Sequence, residues 1–276
     1  MYTQLEQRGM QEPPVNIATL RKKKQDGEPI ACLTAYDASY AALVDAAGTD
    51  LVLVGDSLGM VIQGHDTTVP VTVDDIVYHT RAVARGLRHA FLVADMPFMS
   101  YTNPGQALDN AVRMMQEGGA MMIKLESGGG QLEIVEHLAD HDIPVCAHLG
   151  LKPQSVHKLG GFKVQGRNEE AALKVAEDAR RLEDAGCFAV VLEMVPSELA
   201  GTITRSLSIP TIGIGAGPMT TGQVLVLQDM LGLQPDFRPK FLRTWLNGFD
   251  LIRDALDRYD GDVKEGGFPS EEESYR

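Results

Sequence analysis

The stretch Leu51-Val52-Leu53-Val54-Gly55-Asp56 decides the fold, because it is a short apolar run, closed by a glycine, that ends on a carboxylate. Such runs are typical of strands buried inside a parallel sheet. Three further apolar runs also end on an acid, and they lie at 91–95, 121–126 and 190–193. If these strands are parallel and close into a barrel, their acids converge on the carboxyl-end mouth, where such folds keep their active sites. Any one acid could instead be a helix N-cap. Four in one register predict a metal site and a base.

The rest of the chain repeats this unit, since short apolar runs alternate with longer segments of helical character, as in right-handed βαβ units. Eight strands are predicted, at 30–36, 51–55, 91–94, 121–125, 145–148, 189–193, 211–214 and, most weakly, 223–227. Helices are predicted between them at 39–47, 73–86, 104–118, 132–139, 169–185 and 198–207. Asp74, Asn103, Asn168 and Ser197 are the predicted helix caps. The predicted fold class is therefore α/β, a (β/α)8 TIM barrel.

The two ends of the chain add to this barrel. A length of 276 residues with 44% hydrophobic content suits one barrel domain spanning 1–276. Residues 17–25 predict a short N-terminal helix. Residues 240–259 carry apolar side chains at helical spacing and predict a C-terminal helical extension packed outside the barrel. The polar residues 270–276 are predicted to form a mobile tail.

Charge and cysteine content narrow the partners and the compartment. The net charge of −13 makes nucleic acid and anionic membrane poor partners. No apolar run approaches the length of a membrane span, and the first residues lack the apolar core of a signal peptide. Cys32, Cys146 and Cys187 are far apart in the sequence and form no Cys-x-x-Cys pair. A cytoplasmic protein with reduced thiols is expected.

Several long, irregular motifs resemble those of one known family. They are Gly55-Asp56-Ser57-Leu58-Gly59-Met60, Gln63-Gly64-His65-Asp66, Ala94-Asp95-Met96-Pro97-Phe98, Lys124-Leu125-Glu126, His148-Leu149-Gly150-Leu151 with Pro153-Gln154-Ser155, Gly160-Gly161-Phe162 with Lys163-Val164-Gln165-Gly166-Arg167, and Glu193-Met194-Val195-Pro196. In this order they resemble ketopantoate hydroxymethyltransferase, and the likeness extends from Ile17 to Pro269. Such motifs are far more specific than a glycine pattern.

The resemblance implies a fold, a reaction and an assembly. The fold is a (β/α)8 barrel whose N-terminal helix closes the bottom and whose C-terminal helices aid assembly. The reaction transfers a one-carbon unit from 5,10-methylenetetrahydrofolate to 3-methyl-2-oxobutanoate, giving 2-dehydropantoate in pantothenate biosynthesis through a Mg²⁺-stabilised enolate. The assembly is a homo-oligomer, usually a decamer.

The resemblance also implies a role for each matching residue. Asp56 and Asp95 match the Mg²⁺ ligands and contact the substrate, while Glu126 completes the metal environment directly or through water. Ser57, Lys124 and His148 match substrate-binding positions. Glu193 matches the proton acceptor.

The chemistry of these residue types agrees with those roles. A 2-oxo acid offers two oxygens to one hard cation, and Mg²⁺ prefers oxygen ligands. Lys124 can place positive charge beside the substrate, or it can form a structural ion pair with Asp95 or Glu126. Glu193 ends a different strand and can act as a base away from the metal.

Two other readings of the chain stay open. One is a Mg²⁺-dependent carbon–carbon lyase or mutase of the isocitrate lyase and phosphoenolpyruvate mutase type, although the lysine-glycine-cysteine loop usual in those enzymes is missing from the sequence. The other is a noncatalytic assembly barrel with structural acids. The segment Gly213-Ile214-Gly215-Ala216-Gly217 suits a phosphate-binding loop, but close packing at the barrel mouth is the favoured explanation.

Overall fold

Eight parallel strands close into a barrel in the computed structural model, which describes residues 13–159, 161 and 163–275. Each strand pairs with its neighbour in chain order, and β1 (Ile30–Thr34) also pairs with β8 (Gly222–Leu225) to close the ring. The predicted (β/α)8 class is confirmed. The weakest predicted strand is thus the one that completes the barrel.

The strand bounds match the predicted runs closely, with differences at the ends. The six strands from β2 to β7 are Leu51–Val54, Phe91–Asp95, Met122–Glu126, Val145–Gly150, Ala189–Glu193 and Thr211–Ile214. The predicted first strand stops two residues early, at Thr34, while β5 continues two residues further than predicted.

Helices occupy the predicted connections, and several short ones were not predicted. The helices α1 to α11 are Ile17–Asp26, Ala38–Ala46, Leu58–Val61, Val73–Gly86, Pro104–Gln116, Leu132–Asp140, Val156–Leu159, Glu169–Asp184, Ser197–Ser206, Leu227–Met230 and Gly248–Glu265. A 3₁₀ turn spans Pro153–Ser155. The unpredicted pieces α3, α7 and α10 have four residues each, too short to show helical periodicity in a sequence.

Polar side chains cap several of the longer helices, and two of the four predicted cap positions are confirmed. The Asn103 and Asn168 side chains accept hydrogen bonds from backbone N–H groups of α5 and α8. The prediction of Asp74 was wrong, because Thr72 caps α4 and exchanges hydrogen bonds with Asp75 in a capping box. Ser197 is also not a cap, since it is the first residue of α9 and makes no capping hydrogen bond.

The N-terminal helix covers the amino-end opening of the barrel. Val15 and Leu20 belong to the same buried cluster as residues that begin the strands, among them Ile30 and Phe91. An ion pair of 3.0 Å between Lys23 Nζ and Asp50 Oδ1 ties α1 to the start of β2. The opposite, carboxyl-end mouth carries the acids.

The chain divides into two compact units, Met1–Val226 and Leu227–Arg276. The first unit holds the barrel. The second holds α10 and α11, and its long helix begins at Gly248, eight residues later than predicted. Residues 270–275 are exposed, with a local turn at Ser270 and Glu273.

Some expectations fall on residues that are not described. These are the N-terminal residues 1–12, the motif residues Gly160 and Phe162, and the last tail residue, Arg276. Within the described ranges, no helix is both long and apolar enough to cross a membrane.

Candidate active site at the barrel mouth

The four acids predicted to converge all lie at the carboxyl ends of their strands. Asp95, Glu126 and Glu193 are the last residues of β3, β4 and β6, and Asp56 follows β2 by two residues. The strand register sets Asp95 beside Lys124 and Glu126 beside His148. Because neighbouring parallel strands end at one rim, these side chains share the mouth.

Lys124 forms a buried ion pair with Asp95. Lys124 Nζ donates to Asp95 Oδ2 at 2.6 Å, with side-chain exposures of only 7% and 2%. Burial lowers the pKa of Lys124, but the charges of Asp95 and Asp56 and this hydrogen bond outweigh burial, so its net pKa is raised. The lysine is therefore cationic at neutral pH. Of the two possible ion-pair partners, the structure selects Asp95.

Asp56 and Asp95 bring two buried acidic residues together at the mouth. The Asp56 backbone N–H lies 3.5 Å from Asp95 Oδ2, and both residues are buried. Burial, and then the charge of Asp95, raises the pKa of Asp56 to about 7. Asp95 Oδ1 is buried without a hydrogen-bond partner among the described residues. An orphaned carboxylate oxygen beside a second carboxylate fits a hard cation, which satisfies the lone pairs and offsets the repulsion.

Glu126 lies near this pair, but its carboxylate is engaged elsewhere. Glu126 Oε1 accepts a hydrogen bond of 2.8 Å from the Gln154 backbone N–H, and burial raises the pKa of Glu126 to about 8. In the part of the chain that the structure describes, no three His, Cys, Asp or Glu side chains form a ready metal cluster. A cation held by one or two carboxylates, with its remaining positions left for water and substrate, is the usual arrangement for Mg²⁺.

Glu193 and His148 form the other side of the mouth. Glu193 Oε2 lies 3.1 Å from His148 Nε2 without the alignment of a hydrogen bond. Burial raises the pKa of Glu193 to about 7. Burial, and then the charge of Lys124, holds the pKa of His148 well below 6.5, so the imidazole is neutral. Neither His148 nitrogen has a hydrogen-bond partner among the described residues, which leaves both for a ligand or water.

Two residues beside Glu193 have a positive φ, one directly after it in the chain and one paired with it on β5. Met194, the next residue, has a φ of 46°, a conformation that costs energy for a residue with a side chain. Gly150, paired with Glu193 across β5 and β6, has a φ of 91°, and a Cβ there would meet the Glu193 carbonyl oxygen at 2.1 Å. Glycine is therefore required at 150 for β6 to end where it does.

Three polar residues at the mouth had no role assigned from the sequence. The Tyr36 hydroxyl lies 2.8 Å from Ser57 Oγ, at the start of α3. Gln154 contacts two of the predicted acids, Asp56 through its amide and Glu126 through its backbone, and Tyr101 contacts Gln154. Gln154 belongs to a motif on which the family resemblance rests, and nothing else in the sequence indicated a functional role for it. Tyr36 and Tyr101 stand in none.

The glycine-rich segment 213–217, which begins at the end of β7, is closely packed. A Cβ at Gly217 would meet Ser197 Oγ at 2.1 Å, and one at Gly213 would meet Thr220 Oγ1 at 2.6 Å. Close packing therefore accounts for both glycines, in agreement with the explanation that the sequence favoured over a phosphate-binding loop.

Comparisons with known proteins agree with the motifs. The family model of ketopantoate hydroxymethyltransferase matches residues 14–271. The 3-methyl-2-oxobutanoate hydroxymethyltransferase of Nitrosococcus oceani is 55% identical over 261 residues, covering 95% of this chain and 99% of that protein. The protein of the same name from Ralstonia nicotianae is 53% identical over 261 residues, covering 95% of each chain.

Solved structures of other enzymes share the fold at low identity. A phosphonopyruvate hydrolase in complex with oxalate and Mg²⁺ has a TM-score of 0.61 at 14% identity, covering 94% of this chain and 93% of that one. A 2,3-dimethylmalate lyase of the phosphoenolpyruvate mutase and isocitrate lyase superfamily has a TM-score of 0.57 at 15% identity, covering 92% and 100%. At this identity the likeness concerns the fold alone.

Proposed function

The chain belongs to the ketopantoate hydroxymethyltransferase family, and from that premise we propose how its barrel mouth performs the reaction. Its activity is that of a 3-methyl-2-oxobutanoate hydroxymethyltransferase in pantothenate biosynthesis, with 5,10-methylenetetrahydrofolate as the co-substrate that this activity implies. The lyase or mutase alternative shares only the barrel fold with this chain. Family membership also decides against a noncatalytic barrel.

The proposed Mg²⁺ ligands are Asp56 and Asp95. The observation that supports them is the buried, unpartnered Asp95 Oδ1 beside a second carboxylate. When bound, Mg²⁺ would act as a Lewis acid and stabilise the negative charge that develops on the 2-oxo acid. Glu126, whose Oε1 is held by the Gln154 N–H, is assigned to the surroundings of the cation rather than to direct ligation.

Lys124 and Ser57 orient the substrate in this proposal. Lys124 is buried and cationic, and its ion pair with Asp95 fixes its ammonium group at the mouth. It supplies positive charge to the carboxylate of 3-methyl-2-oxobutanoate. The Ser57 hydroxyl, 2.8 Å from the Tyr36 hydroxyl, directs a hydrogen bond at the same substrate. These two contacts set which face of C3 is presented.

Glu193 is the proposed base. Its carboxylate would take the proton from C3 at Oε2, and a pKa of about 7 suits a base that works near neutrality. His148, neutral and in contact with Oε2, adds no opposing charge and leaves both ring nitrogens for substrate or water. The resulting carbanion forms a bond to the methylene carbon of the folate, the two bonds from that carbon to the folate nitrogens break, and water supplies the hydroxyl group of the product. The C3 proton and the second proton of the water go to the two nitrogens, so that tetrahydrofolate leaves.

One observation carries this assignment: Lys124 and Asp95 are paired at 2.6 Å, whereas the neighbour of Glu193 within ion-pair distance among the described residues is His148, which is neutral. The mouth thus separates a charge-binding side from a proton-accepting side. Exchange of the C3 proton of 3-methyl-2-oxobutanoate for deuterium tests the assignment, because it needs the oxo acid and the metal but no folate.

A homo-oligomer is also proposed, with the decamer that the family resemblance implies as its expected form. The long helix α11 exposes apolar side chains along one stripe, namely Phe249, Ile252, Leu256, Tyr259 and Val263. Their spacing of three and four residues is that of a helix–helix seam. A stripe of this kind is best covered by a second copy of the chain.

A cytoplasmic location is inferred from the thiols. Cys32, Cys146 and Cys187 are all free and buried. Burial raises the pKa of Cys187 and Cys32 to about 12, so both thiols stay protonated at neutral pH and are unreactive as nucleophiles.

A further inference from the structure

Gln154 joins the ends of four strands through four hydrogen bonds. Its amide Nε2 donates to Asp56 Oδ2 and to the Met96 carbonyl oxygen, each at 2.9 Å. Its backbone N–H donates to Glu126 Oε1 at 2.8 Å, and the Tyr101 hydroxyl donates to its Oε1 at 2.6 Å. The residue is buried on the 3₁₀ turn that follows β5. It therefore links the carboxyl ends of β2, β3, β4 and β5.

These partners fix the orientation of the amide. A backbone carbonyl can only accept a hydrogen bond, so the amide nitrogen must be the atom that faces Met96, and its second hydrogen then faces Asp56. The Tyr101 phenol then serves Oε1 as a donor. Burial, and then the charge of Glu126, raises the pKa of Tyr101, which keeps this donor protonated. A rotated amide would set two acceptors against each other at Met96.

We propose that Gln154 is a positioning residue that orients the Asp56 carboxylate for the divalent cation and holds Glu126 beside it. The inference rests on the proposed function, in which Asp56 is a metal ligand. With Oδ2 held by Gln154, the plane of the Asp56 carboxylate is set before the metal binds. Second-layer partners of this kind typically change metal affinity by about 10- to 100-fold when they are removed.

A buried amide can also serve stability alone, and the two roles differ in what they change. A structural amide affects unfolding and leaves the metal affinity of the folded protein intact. A positioning amide changes the affinity itself, and it does so only while Asp56 is present. A double-mutant cycle between Gln154 and Asp56 separates the two, since coupled residues show non-additive effects.

The experiment measures Mn²⁺ affinity by electron paramagnetic resonance on the full chain, with folding checked by circular dichroism. Gln154→Met keeps the length and the backbone N–H but removes the amide. We expect its Kd for Mn²⁺ to rise about 10- to 100-fold. Gln116→Met, the same change at an exposed residue ending α5, is the control and should match the wild type. In an Asp56→Asn background, Gln154→Met should add less than about threefold.

Tyr101→Phe is the second variant, for the case in which Gln154→Met does not fold. It removes the hydroxyl that fixes the amide and should raise the Kd about three- to tenfold, the worth of one hydrogen bond. If folded Gln154→Met binds Mn²⁺ with wild-type affinity, the positioning role of Gln154 is overturned, while the proposed metal site stands. If Gln154→Met does not fold, wild-type affinity in Tyr101→Phe has the same meaning. A wild-type chain that binds no Mn²⁺ would overturn both this inference and the proposed metal site.

Discussion

Glu193 Oε2 lies 3.1 Å from His148 Nε2, and burial favours the neutral form of both groups. The contact is therefore not a permanent ion pair, in contrast to the one between Lys124 and Asp95 at 2.6 Å. A carboxyl with a pKa of about 7 beside a neutral imidazole can gain and lose a proton near neutrality. The two halves of the mouth thus have different electrostatic character, and the predictions below separate them.

The pH profile should report the titration of Glu193. Its pKa is raised to about 7, and the base works only when ionised, so kcat/KM should rise with pH up to about 7 and level off above it. His148 stays neutral throughout, because its pKa lies well below 6.5. The measurement uses saturating Mg²⁺, which keeps Asp56 ionised. An inflection at the ordinary carboxyl value of 4.5, or none between about pH 6 and 8, would contradict the assignment.

Metal affinity should depend on Asp56 and Asp95 far more than on Glu193. Asp56→Asn and Asp95→Asn each remove a charged ligand and should raise the Kd for Mn²⁺ at least about tenfold, whereas Glu193→Gln should leave it within about twofold. Calorimetric titration of the folded variants measures this. Asp109→Asn, on the exposed face of α5, is the matched control. Equal effects of all three site variants would refute the division of roles.

Asp95→Asn should also destabilise the fold. It leaves the Lys124 ammonium buried without its partner, and removing one member of a buried pair costs about 3–5 kcal/mol. Thermal denaturation should therefore show a clear drop in Tm for this variant and little change for Asp109→Asn.

Gly150→Ala should disturb the end of β6 where Glu193 sits. The added Cβ would meet the Glu193 carbonyl oxygen at 2.1 Å in addition to the strain of a φ of 91°. Gly64→Ala is the control, since φ is 76° there and a Cβ meets nothing within 4 Å. Backbone strain should lower the free energy of unfolding of both variants by about 1 kcal/mol or more. Only Gly150→Ala should also slow the exchange of the C3 proton. Normal exchange in Gly150→Ala would argue that the end of β6 does not need this close packing.

The apolar stripe on α11 should be needed for assembly. Leu256→Glu sets a charge in the stripe and should lower the mass found by light scattering after size-exclusion chromatography. Arg258→Glu introduces the same side chain on α11 outside the stripe and should leave the mass unchanged. A wild-type chain that elutes as a monomer, or a Leu256→Glu variant of unchanged mass, would refute the proposed seam.

Sequence patterns predicted the barrel well because buried parallel strands leave continuous apolar runs bounded by turn residues. They also predicted where the acids lie, since every acid at the end of a strand points to one rim. What they could not predict were contacts between distant loops. Gln154 contacts Asp56 across 98 positions of sequence, and no local pattern encodes that meeting. The four-residue helices were missed because they are too short to show a periodic signal. The start of α11 was predicted too early, because residues 240–247 carry apolar side chains at helical spacing although the helix begins at Gly248.

The ion pair of Lys124 is a contact whose partner the residue types alone could not predict. The sequence allowed Asp95 or Glu126 as its partner, and the choice depends on the stagger between β3 and β4, which sets Asp95 directly beside Lys124. Stagger follows from barrel closure as a whole. The family resemblance, in turn, supplied the substrate, which the geometry of carboxylates does not identify.

Deuterium exchange at C3 of 3-methyl-2-oxobutanoate, followed by proton NMR in D₂O with Mg²⁺ and without folate, tests the account most directly. The wild type should exchange the proton, and Glu193→Gln should lose about 10²- to 10⁴-fold in rate while it still binds Mn²⁺. Glu198→Gln, an exposed glutamate in the first turn of α9, should exchange at the wild-type rate. Exchange by Glu193→Gln at the wild-type rate, or none by the folded, metal-supplied wild type, would contradict the account.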